Sequence, residues 1–337
     1  MSSNTAAWLV EPKAHPFQVK AAPTWTPSAD EILVKNHAVA VNPVDGSIQT
    51  NAWWPLNYPT ILGHDVAGEV AAVGPNVTRF KPGDRVLGHA LAMISKRPED
   101  AAFQAYSIIN SAVASRIPDD LPYERAVVLP LGLSTAAAAL FQKDFLNLQH
   151  PTVPASKPTG KSVLIWGGAS SVGSNAIQLA VAAGYEVITT ASVKNFAYVK
   201  SLGAAEVFDY NSPTVIDDLV AALKGKALVG GVDCIGPGAS EQTIEVVKRA
   251  GGVKFVATAR AAPEDNEVAA KMIFATTIKD NEVGKAIYED FLPDALEQKR
   301  YTAAPEPLVV GSGLERIQDA VDVQARGTSA RKVVVML

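Results

Sequence analysis

The sequence predicts an α/β protein in which a doubly wound parallel sheet is inserted in a discontinuous, β-rich domain. Three observations lead to this fold class. The 337 residues exceed the usual size of one hydrophobic core, and residues 162–257 alternate between strand and helix patterns. The C-terminal stretch 332–337 is too apolar to stay exposed, so we expect it to pair back with the β-rich N-terminal part.

The N-terminal residues 6–126 are rich in short strand patterns and in turns. Alternating or apolar runs predict strands at residues 31–41, 67–73, 85–87 and 103–109. Proline and glycine separate these runs, which is typical of a small barrel or sandwich. The alanine-rich residues 123–141 then predict two helices broken near Pro130, because proline lacks the amide hydrogen that a helix interior needs.

The central part alternates strictly between two kinds of element. Strands are predicted at residues 162–166, 186–190, 206–208, 231–235 and 252–257. The helices between them are predicted at residues 173–183, 195–202, 214–223 and 240–247. Units of this kind favour a parallel sheet with helices on both faces. The tail predicts a last sheet strand at 272–278, a helix at 282–298, a β segment at 307–310, a helix at 313–323 and a strand at 332–337.

Charge and composition exclude several classes of protein. A net charge of −4, a pI of about 5.8 and scattered basic residues do not provide the surface that binds nucleic acid. The single cysteine, Cys234, excludes a disulfide framework and a cluster of several thiolates. We find no signal-peptide pattern, and we expect no apolar stretch to reach the roughly 18 residues of a spanning helix. A soluble, cytoplasmic protein without a nucleic-acid or membrane partner is predicted.

A glycine-rich turn joins the first strand of the central part to its first helix. Residues 167–173 read Gly-Gly-Ala-Ser-Ser-Val-Gly. Small residues let the backbone approach a pyrophosphate, which then lies on amide groups at the positive end of the helix. Aligned on Gly173, Gly168 is the first glycine of a dinucleotide fingerprint and Ser170 replaces the second. An ordinary tight turn is the alternative, and the flanking strand and helix favour the dinucleotide site.

The second strand of the central part indicates which dinucleotide is bound. A site specific for NAD usually has a carboxylate about 20 residues past the turn, where it accepts from the ribose 2′-hydroxyl. Residues 187–194 contain no carboxylate, whereas Ser192 and Lys194 have the chemistry to hold a 2′-phosphate. NADPH is therefore predicted, with a solvated lysine at a helix start as the alternative for Lys194.

Several segments resemble the signature of the medium-chain dehydrogenase/reductase superfamily, which includes alcohol dehydrogenases and quinone reductases. The matching residues are Gly-His-Asp-Val-Ala-Gly at 63–68, Gly74, Val77 and Lys-Pro-Gly-Asp-Arg-Val at 81–86, together with 41–46, 131–135 and the glycine-rich turn. The resemblance spans nearly the whole chain, although Asp65 stands where the signature usually has glutamate. On residues 192–196, 207–210 and 282–286, the chain is most similar to fungal zinc-independent members, the trans-acting enoyl reductases and quinone reductases.

The resemblance implies a GroES-like catalytic domain at residues 1–125 and 281–337, around a Rossmann cofactor domain at 126–280. It also implies the cofactor site. The residues that would line the pyrophosphate are Gly168, Ser170, Ser171, Val172 and Gly173. Those that would hold the 2′-phosphate are Ser192, Lys194 and Tyr210, and those near the nicotinamide are Asn42 and Thr135. For Tyr210, a half-buried aromatic residue after a strand is the alternative.

The zinc site of the alcohol dehydrogenases is predicted to be absent. His64 matches the family's histidine ligand, but the cysteine expected near residues 42–44 is missing and Leu131 stands where the second would fall. Residues 88–104, which would form the structural zinc lobe, contain no cysteine. One histidine does not make a zinc site, so His64 is interpreted as a turn or core residue and no metal is predicted.

An aromatic, proline-flanked segment follows the first match to the family. It contains Trp53, Trp54 and Tyr58, and in this family it would lie near the active-site mouth. Packing of these aromatic side chains into the barrel's own core is the alternative. Tyr58 is the candidate proton donor, with solvent as the alternative. Together these residues predict an NADPH-dependent reductase that acts on a small, apolar, conjugated substrate: an enone, an enoyl thioester or a quinone. The alternative is a non-catalytic NADPH-binding adaptor, and the resemblance also suggests a biosynthetic partner enzyme.

Overall fold

The computed structural model describes residues 3–337, which form two compact units. One unit contains the residues up to Leu131 together with Ala303–Leu337, and the other contains Gly132–Thr302. The predicted domains are divided instead at 125/126 and 280/281. Residues 126–131 were predicted in the cofactor domain but lie in the first unit, and residues 281–302 were predicted in the catalytic domain but lie in the second unit. The domain assignment itself stays a prediction.

The elements of the chain up to Leu131 are mostly strands. They are β1 (Asn4–Leu9), β2 (Gln18–Ala22), β3 (Glu31–Ala40), α1 (Pro43–Asn51), β4 (Thr60–Ile61), β5 (Asp65–Val73), β6 (Arg85–His89), α2 (Ala92–Ser95), β7 (Tyr106–Asn110), β8 (Ala114–Arg116) and α3 (Tyr123–Ala126). The helix α4 (Pro130–Phe141) leads into the second unit. Helix α1 was not predicted, because its polar sequence has no apolar period.

Strands and helices then alternate through the second unit. They are β9 (Lys161–Trp166), α5 (Ser171–Ala182), β10 (Glu186–Ala191), α6 (Phe196–Ser201), β11 (Glu206–Asp209), α7 (Val215–Leu223), β12 (Ala227–Asp233), α8 (Ala239–Ala250), β13 (Phe255–Thr258), β14 (Ala269–Met272), α9 (Glu282–Lys285) and α10 (Leu292–Glu297). The chain ends with β15 (Glu306–Ser312), α11 (Ile317–Ala325) and β16 (Arg331–Met336) in the first unit.

The second unit contains the predicted doubly wound sheet. Its six strands lie in the order β11-β10-β9-β12-β13-β14, and every neighbouring pair is parallel. The order reverses next to β9, which places a topological switch point there, and ligands of such sheets bind at the carboxyl ends of the strands around that point. Residues of β9, β10, α7, α8 and β13 form the apolar core of this unit.

The first unit is built mostly on antiparallel strands, although β15 and β16 pair in parallel. A seven-stranded sheet has the order β15-β16-β3-β5-β6-β8, with β7 paired to β3, and a three-stranded sheet has the order β2-β1-β4. Strand β16 pairs antiparallel with β3, with Val334 opposite Ala40. The expectation that the C-terminal strand returns to the N-terminal part is therefore confirmed.

Two predictions for the tail need correction. The strand expected at 272–278 is wrong, because β14 ends at Met272 and residues 275–280 form a 3₁₀ helix. The Thr277 hydroxyl donates to the Phe274 carbonyl oxygen, and such local bonds favour a turn over a strand. The helix expected at 282–298 is present but contains a π-helical segment, Ala286–Phe291, just before Pro293, which has no amide hydrogen for the helical ladder.

A third correction concerns the apolar stretch Tyr123–Phe141. Its 19 residues, with a mean hydropathy of 1.3, are long and apolar enough to span a membrane, contrary to the sequence-based expectation. However, 83% of the 18-residue window is buried within the fold, and the stretch divides into α3 and α4 with Pro130 at the start of α4. This arrangement is typical of the core helices of a globular protein.

Candidate functional site

The glycine-rich turn connects β9 to α5 at the switch point of the sheet. Ser170 is the N-cap of α5, and its hydroxyl oxygen accepts from the backbone N–H of Gly173 at 3.0 Å. The N–H groups of Ser171 and Val172 belong to the first helical turn and have no acceptor within the helix. These amides give the turn the donors that an anion requires.

The two glycines of the fingerprint are required by close packing. A Cβ at Gly173 would lie 2.3 Å from the carbonyl oxygen of Gly167, and a Cβ at Gly168 would lie 2.3 Å from Oγ1 of Thr189. The half-buried Ser170 stands at the second glycine position and serves as the helix cap. The turn therefore keeps the tight geometry and helix packing of a dinucleotide site, so its residues fit a pyrophosphate.

The residues predicted to hold a 2′-phosphate follow the next two strands of the sheet. Ser192 and the exposed Lys194 come directly after β10, and Tyr210, which is 45% exposed, comes directly after β11. The carboxyl ends of these strands are level, because Ala191 pairs with Asp209. One Asp209 carboxylate oxygen accepts from the backbone and side-chain N–H groups of Asn211, each at 3.0 Å.

Two further residues at this edge of the sheet have structural roles. The Asp233 carboxylate, at the end of β12, accepts from the Ser240 hydroxyl at 2.5 Å and from the amides of Ile235 and Gly236. Burial raises the pKa of Asp233. Burial also raises the pKa of the Cys234 thiol well above its usual value, which is consistent with a small buried apolar residue and not with a nucleophile.

In the first unit, a buried polar cluster joins α1, β5 and β16. One Asp65 oxygen accepts from the side-chain amide of Asn42 at 2.7 Å and lies 2.8 Å from the Nζ of Lys332. The other accepts from the backbone N–H of Leu131 at 2.6 Å. Lys332 also donates to the amide oxygen of Asn42. Both polar atoms of the Asn42 side chain are thus engaged, which leaves one amide hydrogen for a ligand.

A buried carboxylate and two histidines lie next to this cluster. One Asp45 oxygen accepts from the backbone N–H of Asn42 at 2.7 Å, and the other lies 2.8 Å from the Nδ1 of His64. The His64 side chain is 4% exposed, and its Nε2 has no hydrogen-bond partner among the described residues. The His89 ring lies 6.3 Å from that of His64, and burial lowers the pKa of His89 to about 3. His89 is therefore neutral.

His64 is among the residues that line a small hollow, which has room for about one water molecule. The other lining side chains are apolar: Ile48, Leu56, Ile61, Leu62, Ala92 and Met93. The indole N–H of Trp54 donates to the Met93 carbonyl oxygen at 2.7 Å, so the aromatic segment supports one wall. The Tyr58 ring packs on the core of this unit, and its hydroxyl is buried without a hydrogen-bond partner among residues 3–337.

The predicted site residues therefore form two groups, one in each unit. The second unit holds Thr135, on α4, and the turn and edge residues Gly168, Ser170, Ser171, Val172, Gly173, Ser192, Lys194 and Tyr210. The first unit holds Asn42 and Tyr58. The roles of all eleven residues stay predictions. Tyr58 does not line the hollow as described, whereas His64, which we interpreted as a turn or core residue, does.

Sequence reasoning missed the buried charges of the first unit. Asp45 and Lys332 were not singled out, although Lys332 stands inside the apolar strand β16, where a lysine needs a buried partner. In the described part of the chain, no group of three or more histidine, cysteine, aspartate or glutamate residues is placed to hold a metal ion.

Comparisons with known proteins match both parts of the chain. The family described as alcohol dehydrogenase GroES-like domain matches residues 28–118, and the family described as zinc-binding dehydrogenase matches residues 171–292. The chain is 60% identical to the zinc-binding alcohol dehydrogenase domain-containing protein cipB of Emericella nidulans, over 99% of this chain and 98% of that protein.

Two further similarities concern enoyl reductases. The chain is 40% identical to the trans-enoyl reductase himH of Aspergillus japonicus, covering 98% of this chain and 97% of that protein. Its fold is similar to the crystal structure of the CurK enoyl reductase, with a TM-score of 0.76 over 99% of each chain and 19% identity. At that identity the structural similarity concerns the fold alone.

Proposed function

The chain belongs to the medium-chain dehydrogenase/reductase superfamily as an enoyl reductase-like oxidoreductase, and we propose that it is a zinc-independent, NADPH-dependent reductase of conjugated carbonyl compounds. The acceptor is an enone, an enoyl thioester or a quinone, and the reaction takes place in the cytoplasm. The observation that carries this proposal is the dinucleotide-type turn, in a chain whose described residues contain no set of metal ligands.

The choice of NADPH rests on the edge of the sheet after β10. Lys194 is exposed there and Ser192 lies two residues before it, so one ammonium group and one hydroxyl are available to a phosphate. Asp209 is the residue that argues for NADH, because it lies level with the end of β10 and a carboxylate at this edge is suited to accept from the ribose 2′-hydroxyl. Since Asn211 already donates to Asp209 twice, we expect Lys194 to dominate the selection of the cofactor.

The choice of substrate rests on the side chains around His64. Alcohol oxidation in the zinc relatives needs a Lewis acid to stabilise the alkoxide, and thiolate and imidazole ligands hold the metal there. Here Leu131 occupies the place of one expected cysteine, and the described residues provide no set of three ligands. Reduction of a conjugated bond needs less assistance, because hydrogen-bond donors suffice to stabilise the oxygen on which charge develops.

The residues of the chain then have separate tasks. The cofactor, when bound, supplies a hydride. The turn Gly168–Gly173 and Lys194 would bind its phosphates, while Asn42, held by Asp65 and Lys332, would orient the site with its remaining amide hydrogen. Tyr58 or solvent would provide the proton that completes the reduction.

The test is the consumption of NADPH in the presence of quinones, enals, enones and enoyl thioesters, beside oxidation of primary and secondary alcohols with NADP⁺. We expect turnover of at least one conjugated class, unchanged by a chelator, and little alcohol oxidation. Alcohol oxidation without conjugate reduction would refute the proposal. Binding of NADPH without its consumption on any acceptor would favour the adaptor alternative.

A further inference from the structure

The residues proposed to bind the phosphates of the cofactor lie on two separate segments of the second unit. The glycine-rich turn leads into α5, whereas Ser192 and Lys194 lie at the start of the helical segment that continues into α6. The pyrophosphate and the 2′-phosphate belong to one molecule, so both segments must be held in place together to bind it tightly.

A pair of hydroxyl groups connects the two helices. The hydroxyl of Tyr198, on α6, lies 2.8 Å from the hydroxyl of Ser174, on α5. Ser174 is fully buried, and its hydroxyl donates to the carbonyl oxygen of Gly168 at 3.4 Å. With the Ser174 hydrogen directed to Gly168, Tyr198 is the donor of the pair. The two bonds therefore connect α6 to the glycine-rich turn itself.

Tyr198 stands about one helical turn after Lys194. The backbone N–H of Asn195 donates to the carbonyl oxygen of Ser192 at 2.8 Å, and the Asn195 side chain donates to the Ser192 hydroxyl at 3.1 Å. A hydroxyl that accepts in this way keeps its own hydrogen to donate. Lys194 is exposed, so the short helical segment that carries it sets where its ammonium group lies.

The glycine-rich turn has supports that do not involve α6. The backbone N–H of Gly168 donates to the carbonyl oxygen of Thr190 at 2.9 Å, and the Ser170 hydroxyl caps α5. Removal of the Tyr198 hydroxyl should therefore loosen the segment that carries Lys194 and leave the turn in place.

We propose that Tyr198 is a positioning residue for the choice of cofactor, whose hydroxyl holds the segment with Lys194 against the glycine-rich turn through Ser174, so that NADPH binds to both. This deepens the proposed function and rests on it for the identity of the cofactor. NADH carries a ribose hydroxyl in place of the 2′-phosphate and makes no charge-assisted bond to Lys194. Its binding should therefore depend on the turn and not on Tyr198.

The test compares the dissociation constants of NADPH and NADH, measured by calorimetry, for the wild type, Tyr198→Phe and the control Tyr185→Phe. The control removes a tyrosine hydroxyl of the same unit whose partner is the backbone N–H of Gln149, 3.4 Å away. We expect Tyr198→Phe to raise the Kd of NADPH about threefold to tenfold, the effect of one hydrogen bond, and that of NADH by less than about twofold. Tyr185→Phe should bind both cofactors as the wild type does.

A double variant separates positioning from a general structural defect. Lys194→Ala removes the charge that Tyr198 is proposed to position, so adding Tyr198→Phe to it should raise the Kd of NADPH by less than about twofold more. A merely structural role predicts similar losses for NADPH and NADH, and an effect that adds fully to that of Lys194→Ala.

The inference is overturned if Tyr198→Phe leaves the Kd of NADPH unchanged, raises both dissociation constants equally, or adds fully to Lys194→Ala. If the wild type binds NADPH no more tightly than NADH, the proposed cofactor is wrong and the inference fails with it. If Lys194→Ala abolishes the preference for NADPH and Tyr198→Phe does not reduce it, the inference fails alone. The expected pattern of binding without turnover on any acceptor would support the inference and contradict the proposed reductase activity.

Discussion

The buried ion pair between Lys332 and Asp65 gives the sharpest prediction about stability. The two side chains are 4% and 0% exposed, and the Nζ of Lys332 lies 2.8 Å from the carboxylate. Lys332→Met keeps an apolar stem of similar length but removes the charge, which leaves the carboxylate buried and uncompensated. Breaking a buried pair in this way typically destabilises a protein by about 3–5 kcal/mol.

The structure indicates where in that range the effect falls. Asp65 keeps two hydrogen bonds in the variant, from the Asn42 side chain at 2.7 Å and from the Leu131 backbone at 2.6 Å. Both bonds stabilise the remaining charge, so we expect a loss of about 3 kcal/mol, at the lower end. Adding Asp65→Asn to Lys332→Met removes the orphaned charge. The double variant should therefore be more stable than Lys332→Met alone.

Tryptophan fluorescence during urea unfolding is the appropriate assay. Trp8, Trp25, Trp53 and Trp54 lie in the unit that contains the ion pair, and Trp166 lies in the other unit. The signal therefore reports mainly on the affected unit, even if the two units unfold separately. A loss below about 1 kcal/mol for Lys332→Met, or a double variant that is less stable than the single one, would refute the charge-burial reasoning.

Four further predictions concern the cofactor site and pH. Gly173→Ala should abolish measurable NADPH binding and reduce stability by about 1–3 kcal/mol, because the added Cβ would lie 2.3 Å from a backbone oxygen. Gly225→Ala is the control for the binding measurement: no atom lies near the added Cβ, but the φ of +79° strains an alanine, so this variant should lose stability and keep NADPH binding. Lys194→Ala should raise the Kd of NADPH about tenfold to a hundredfold and leave that of NADH nearly unchanged. Asp209→Asn should leave the Kd values of NADPH and NADH nearly unchanged. A rise in the Kd of NADH alone would identify Asp209 as a ligand of the ribose hydroxyl and contradict this expectation. Burial lowers the pKa of His89 from 6.5 to about 3, so stability from its neutral form is complete above pH 6.5 and is lost as the pH falls below that value. Between pH 7.5 and pH 5 this loss is about 2 kcal/mol, and the urea midpoint of His89→Asn should fall less than that of the wild type.

The central sheet could be predicted because its signals are local. The alternation between β9 and β13 shows in the sequence as apolar runs followed by amphipathic helices, and the glycine-rich turn marks the first junction. The strand expected at 272–278 failed because apolar and β-branched residues are also buried by a 3₁₀ helix. Periodicity over so short a run does not distinguish the two.

The buried polar cluster could not be predicted in the same way, because its members are distant in the sequence. Asn42 and Lys332 are 290 residues apart and meet only because β16 pairs with β3. The pairing of β16 with the N-terminal part of the chain was predicted from the apolar character of residues 332–337. That prediction did not account for the charge of Lys332 in an otherwise apolar strand. Such an exception to a pattern is itself a signal, since a lysine is rarely buried without a partner.

His64 shows how a resemblance can direct attention away from a residue. Comparison with the zinc signature identifies His64 only as a match to a metal ligand. Because the expected cysteine ligands are missing, a structural histidine is then the simplest interpretation. The structure adds two facts that a signature does not contain: Nδ1 is held by Asp45, and Nε2 is buried without a partner among the described residues. The carboxylate that fixes the ring lies 19 residues earlier in the sequence, which a signature match does not reveal. A signature match in which two cysteines are missing therefore does not make His64 an isolated core residue, because the buried Asp45 carboxylate is in direct contact with its ring.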